Sequence, residues 1–134
     1  MFKTTMTVRM YDTDAAGILY FGSQFRFAHD AFESLLASEG VSFGDLLEKE
    51  SFLFVIVHAE ADYKSSLKVG DIIDVRTYIS RIGDTSFAVE YSILRNSETV
   101  GRVQTVHVCI DRNSREKISI PEKARLFLKK YYWS

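Results

Sequence analysis

The chain has 134 residues, a length that supports one hydrophobic core. Apolar residues make up 46% and aromatics 13%, so a packed interior forms without disulfide staples. The 17 basic and 18 acidic residues nearly cancel, which argues against a general nucleic-acid binder, because neutralising a phosphate backbone takes a basic excess.

Thr5 to Tyr11 alternates and is partly β-branched, so it reads as a strand. A polar turn, Asp12 to Gly17, follows. Gly22 or Ser23 then opens a helix predicted to reach about Glu39, because Phe21, Phe25, Ala28, Ala31, Phe32, Leu35 and Leu36 recur at helical spacing. Gly40 is a natural stop. Ser42 to Glu50 reads as a short second helix, with Phe43, Leu46 and Leu47 on one side.

Beyond that the period falls to two. Phe52 to Tyr63 is predicted to be a long strand, with Val55, Val57, Ala59 and Ala61 on one face and Phe54, Ile56, His58, Glu60 and Asp62 on the other. Gly70-Asp71 marks a turn, and Asp71 to Ile82 a second strand. Gly83-Asp84 signals a hairpin. Thr85 to Arg95 and Thr99 to Asp111 complete an expected four-strand meander, with Asn96-Ser97-Glu98 as a turn. Pro121 is suited to open a final helix running to about Tyr132. One helix with so apolar a face needs an antiparallel sheet to cover it, giving an α+β fold. The aromatic and β-branched content of the sheet suggests self-association.

The N-terminus lacks an apolar leader-like run, and no stretch approaches the ~20 apolar residues that span a bilayer. The lone Cys109 sits in an apolar alternating run and reads as a buried thiol. A cytoplasmic protein is expected.

The most chemically suggestive stretch is Asp12-Thr13-Asp14-Ala15-Ala16-Gly17-Ile18-Leu19-Tyr20-Phe21. It holds two acids and a glycine between a strand and the start of the long helix. A carboxylate beside free helix N–H groups places a base or nucleophile next to an oxyanion site, an arrangement suited to acyl transfer. From spacing alone, Asp14 reads more readily as a cap of its own turn than as a catalytic group. Asp12, nearer the strand, is expected to fix the turn through backbone N–H groups. A metal site built from these acids lacks a His-x-x-x-His or paired-Cys partner, so none is expected.

That stretch, followed by Arg26, together with Ile56-Val57-His58-Ala59-Glu60-Ala61-Asp62-Tyr63 and Gly70-Asp71, resembles the hotdog-fold acyl-CoA thioesterases of the 4-hydroxybenzoyl-CoA thioesterase/YbgC-like group. The resemblance runs from Thr7 to Asp111. Asp-Thr-Asp-Ala-Ala-Gly, His29 and Ile-Val-His-Ala are also similar to the branch that hydrolyses 1,4-dihydroxy-2-naphthoyl-CoA. Leu19 stands where the family usually has Val, and His29 where many members have Glu.

The resemblance implies one hotdog domain over residues 1–134, a long central helix wrapped by a five-stranded antiparallel sheet, forming a homodimer or homotetramer. It implies hydrolysis of an aromatic or a short-chain acyl-CoA to the free acid and CoA, with no cofactor. Asp14 becomes the catalytic carboxylate, as nucleophile or general base. The Phe21 N–H becomes the oxyanion donor, and Gly17 keeps the turn tight.

Tyr20, His29 and His58 are candidates for substrate contact. His29 borders the apolar helix face and equally suits a core or dimer contact, and His107 is assigned no role. Lys64, Lys68, Arg81, Arg102, Arg112 and Arg115 are candidate partners for the CoA phosphates, although surface cations are usually only solvated. Two rival readings are a non-catalytic acyl- or CoA-binding module and a hotdog hydratase. The Asp-Thr-Asp-Ala-Ala-Gly turn argues against the second.

Overall fold

A computed structural model describes residues 1–41 and 50–133, so the short helix expected over Ser42–Glu50 falls, but for Glu50, outside the described residues. Five antiparallel strands form one sheet: β1 (Phe2–Thr7), β2 (Phe52–Tyr63), β3 (Ile72–Ile82), β4 (Ser86–Arg95) and β5 (Glu98–Asp111). Helix α1 (Ser23–Ser38) lies across one face, and α2 (Glu122–Lys130) follows β5.

The helical stripe is realised as the spacing predicts. Phe27, Ala28, Ala31, Phe32, Leu35 and Leu36 are all at most 1% exposed. Burying each of the large side chains contributes about 1.5–3 kcal/mol. The helix ends in a Schellman arrangement. Gly40 sits at φ +77°, its N–H bonds the Ala37 carbonyl, and the Val41 N–H bonds that of Leu36.

Facing this stripe, β3, β4 and β5 each turn their odd-numbered residues inward. These include Ile73, Val75, Thr77 and Ile79, then Phe87, Val89, Tyr91 and Ile93, then Val103, Thr105, His107 and Cys109, and all are buried. The β4–β5 turn holds two residues, Asn96 and Ser97, both at positive φ, which matches the twist of the flanking strands. Burial raises the Cys109 thiol to a pKa of about 11, consistent with an inert core residue.

Three expectations are corrected. The first strand spans Phe2–Thr7, not Thr5–Tyr11. After Thr7 the chain leaves the sheet, and Met10–Asp12 form a 3-10 turn in which the Asp12 carboxylate accepts the Arg9 N–H at 2.8 Å.

The expected four-strand meander holds only for β3, β4 and β5. The strand order is β1-β3-β4-β5-β2, so β2 pairs with β5 at the far edge. The segment joining β2 to β3 crosses the end of the sheet instead of making a hairpin. It is tied down along its length: Lys64 N–H and Ser65 N–H bond Val100 O, Leu67 is 1% exposed, and Gly70 N–H bonds Val8 O.

The even alternation expected for β2 breaks at a bulge between Ile56 and His58. One extra residue reverses the facing downstream. Phe54 and Ala61 consequently both pack on the core side, while His58 pairs opposite Val106 and points away from α1.

Helix α2 buries Ala124, Phe127 and Leu128. Its end is clamped to α1 through Glu39, which meets Lys130 Nζ and Tyr131 Oη at 3.0 Å each. Hydrogen bonding from Lys130 holds the Glu39 carboxyl below its usual range.

Candidate active site

The acidic stretch folds into a small hairpin. Thr13 and Leu19 pair as an antiparallel bridge, Asp14 N–H bonds Ile18 O at 3.1 Å, and Gly17 N–H bonds Asp14 O at 3.0 Å. Gly17 closes the turn at φ +79°, a conformation that costs a side-chain-bearing residue roughly 1–2 kcal/mol. Asp14 is exposed at its tip, and its Oδ1 accepts the Ala16 N–H at 2.9 Å. Its other carboxylate oxygen has no hydrogen-bond partner among the described residues.

Asp12 anchors this hairpin to α1. Its carboxylate is 1% exposed and receives Arg26 Nε at 2.8 Å and Nη2 at 2.7 Å. Its carbonyl accepts the Tyr20 N–H and the Ser23 hydroxyl, each at 2.8 Å. The Arg26 guanidinium also reaches Asp30 at 2.7 Å and lies over the Tyr11 ring, 5.3 Å from its centroid. Asp12 therefore positions backbone, as expected, with Arg26 as the partner that the sequence reading did not assign.

The Tyr20 and Ser23 amides are committed, to Asp12 O and Tyr20 O. The Phe21 N–H between them has no acceptor among the described residues. The Phe21 side chain is 64% exposed and packs on Tyr20 with ring centroids 4.5 Å apart. A groove of about 350 Å³ runs beside it, lined by Ile18, Phe21, Tyr63, Lys64, Ser65 and Leu67 among others. Of the six cations singled out in the sequence, Lys64 alone lines it. Arg102 sits with Glu60, Asp62 and Glu90 on the far sheet face.

A second, smaller cavity of about 180 Å³ opens between α1 and the sheet. Exposed His29 stands at its rim, Phe25, Ile56 and Ala59 form its walls, and buried Tyr91, Thr105 and His107 form its floor. Ile56 and Ala59 reach the same cavity because of the β2 bulge. His58 does not. It is on the opposite face, 3.3 Å from Glu60 Oε1.

The floor is a hydrogen-bonded chain. Tyr91 Oη lies 3.3 Å from Thr105 Oγ1, which lies 2.9 Å from His107 Nε2. The His107 ring stacks on Phe87 at 4.9 Å with an interplanar angle of 1°, and lies 4.7 Å from Phe32. Burial, with a smaller contribution from His29, lowers its pKa to about 4, so the imidazole is neutral at pH 7. His107 was assigned no role from sequence. The available signal was two polar residues, Thr105 and His107, on the inward face of a strand whose other inward residues are apolar.

A long helix laid across five antiparallel strands, with an acid-bearing hairpin feeding its first turn, is the architecture of the hotdog thioesterases. The chain belongs to the thioesterase-like superfamily, whose family model matches residues 8–128. It is 31% identical over 128 residues to a 1,4-dihydroxy-2-naphthoyl-CoA hydrolase from Synechococcus elongatus, covering 95% of this chain and 94% of that protein. The crystal structure of a 1,4-dihydroxy-2-naphthoyl-CoA thioesterase from Synechocystis superposes with a TM-score of 0.90 at 30% identity, covering 96% and 95% of the two chains. A gentisyl-coenzyme A thioesterase superposes with a TM-score of 0.85 at 25% identity, covering 94% and 98%.

Proposed function

We propose that this chain is a thioester hydrolase acting on an aromatic acyl-CoA, of which 1,4-dihydroxy-2-naphthoyl-CoA, named for its relatives, is the leading candidate. The observation that carries the reading is the hairpin, which presents an exposed carboxylate at Asp14 and leads directly into the helix entry, where the Phe21 amide is uncommitted among the described residues.

In the proposed reaction a thioester carbonyl carbon lies beside Asp14 with its oxygen toward the Phe21 N–H, where the helix dipole stabilises developing negative charge. As general base, Asp14 takes a proton from water while the new C–O bond forms. Collapse of the tetrahedral intermediate breaks the C–S bond, and the departing thiolate takes up a proton. As nucleophile, the same carboxylate attacks the carbonyl carbon, the C–S bond breaks as CoA departs as its thiolate and is protonated, and water then opens the mixed anhydride to release the free acid and restore the Asp14 carboxylate. Gly17 sets the reach of Asp14 in either case. The groove beside Phe21 and Lys64 suits the pantetheine arm, and Tyr20, whose ring packs on Phe21, is the further proposed substrate contact. His29 faces the acyl ring, and His58, on the outer face, is left to its pairing with Glu60. No cofactor enters these steps.

The protein is proposed to be one domain over residues 1–134, to work in the cytoplasm, and to assemble as a homodimer or homotetramer. The exposed apolar side chains of the β2 edge, Ile56 at 47% and Val57 at 59%, support the last point.

The test is thiol release from a panel of aromatic, short-chain and long-chain acyl-CoAs. Asp14→Asn keeps the Ala16 hydrogen bond and removes the basic oxygen, so kcat should fall about 10²–10⁴-fold with folding intact. Near wild-type turnover in Asp14→Asn removes the assigned role. Tight CoA binding without thiol release by the wild type identifies a binding module instead.

A further inference from the structure

We infer that the cavity beneath His29 is a reader for a hydroxyl group carried on an aromatic ring, with His107, Thr105 and Tyr91 as the residues that select it. The inference rests on the proposed function only in taking that ring to be part of the acyl group.

Size limits the guest. A cavity of roughly 150 Å³ holds a benzene ring, so about 180 Å³ takes one hydroxyl-bearing ring, and the second ring of a fused group such as naphthoyl extends beyond it. The walls favour an aromatic, since Phe25, Ile56 and Ala59 supply apolar contact. The floor then decides the substituent.

Tyr91, Thr105 and His107 are 1%, 6% and 3% exposed, so water does little to satisfy them. Two hydrogen bonds join the three groups, and these use only part of their combined capacity. The second imidazole nitrogen, Nδ1, has no hydrogen-bond partner among the described residues.

Each hydroxyl in the chain both donates and accepts. If His107 Nε2–H donates to Thr105, and Thr105 donates to Tyr91, then Nδ1 is left as an acceptor. A ring hydroxyl donates to an acceptor of this kind, and a methyl or hydrogen in its place leaves that nitrogen without a partner on the ligand. Sites built this way reject the analogue that lacks the hydroxyl. Stacking against Phe87 and Phe32 holds the imidazole in place, so recognition does not require it to reorient.

The test uses phenol and toluene, two rings of nearly equal size, as fragment probes. Binding is followed by NMR of the histidine side chains in the full-length wild type, His107→Phe and Thr105→Val. Phenol should bind the wild type at least tenfold more tightly than toluene and shift the His107 ring signals. That preference should fall below threefold in His107→Phe and fall in part in Thr105→Val.

Equal affinity for the two fragments overturns the assignment, as does binding of neither or a phenol preference that survives both substitutions. If His107→Phe does not fold, Thr105→Val and the wild-type ring shifts decide the matter alone. None of these readings depends on thiol release, so a failed assignment here is distinguishable from a failed thioesterase assignment.

Discussion

Acidification should destabilise this protein through His107 as pH falls from 6.5 toward about 4. The ring is 3% exposed, and its pKa is lowered from 6.5 to about 4, mainly by burial. An unfolded chain binds a proton at this position below pH 6.5, whereas the folded chain does so only near pH 4. Between those values the unfolded state carries more protons, so stability rises with pH. The contribution is complete above pH 6.5, is lost as pH falls toward 4, and is level below that.

At about 1.4 kcal/mol per pH unit across this window, the loss is roughly 3 kcal/mol. With a urea slope of about 2 kcal/mol/M, that moves the midpoint by about 1–2 M. The assay is urea unfolding of the wild type and His107→Phe at one fixed protein concentration, from pH 7.5 to 4. Carboxylates common to both proteins cancel in the difference. The groups facing the ring, His29, Tyr91 and Thr105, are also retained in both. A stability difference that stays constant across the window would refute the claim that His107 is held neutral by its surroundings.

Other outcomes follow from the same geometry. Arg26→Leu strands the Asp12 carboxylate without its main partner and should cost about 3 kcal/mol of stability, measured by urea unfolding. The half-exposed surface pair Arg26–Asp30 is worth far less, so Asp30→Ala should change stability by under about 1 kcal/mol. Gly101→Ala places a Cβ 2.5 Å from the buried Gln24 side chain, and thermal denaturation should show a loss of about 1–3 kcal/mol as that side chain is displaced.

The parts of the fold that were legible in the sequence are those encoded by local periodicity. The α1 stripe, the three strands of the meander and the Asn96-Ser97 turn each announce themselves within about a dozen residues. Strand order does not, because it depends on where the crossover between β2 and β3 is tied, and those ties join it to Val8, Leu19 and Val100 far away in sequence.

The β2 bulge was hidden for a related reason. Nothing in Ile56-Val57-His58 breaks the β pattern, and the extra residue appears only when the strand is paired with β5. That single offset is why His58 lies outside the cavity and Ala59 inside it. The Asp14 hairpin was legible as a motif, whereas the Arg26 clamp on Asp12 becomes visible only when the helix is placed, 14 residues downstream.

One tie carries a wider consequence. The loop bearing Asp14 and the crossover share the hydrogen bond from Leu19 N–H to Leu67 O, at 2.8 Å. The crossover is in turn pinned by Arg95, whose Nη1 reaches Ser66 O at 2.8 Å and Asp71 Oδ2 at 3.0 Å. A guanidinium at the tip of the β4–β5 turn thus braces, through one intervening segment, the loop on which the proposed chemistry depends. Variation at that distant turn bears on how faithfully the carboxylate is aimed.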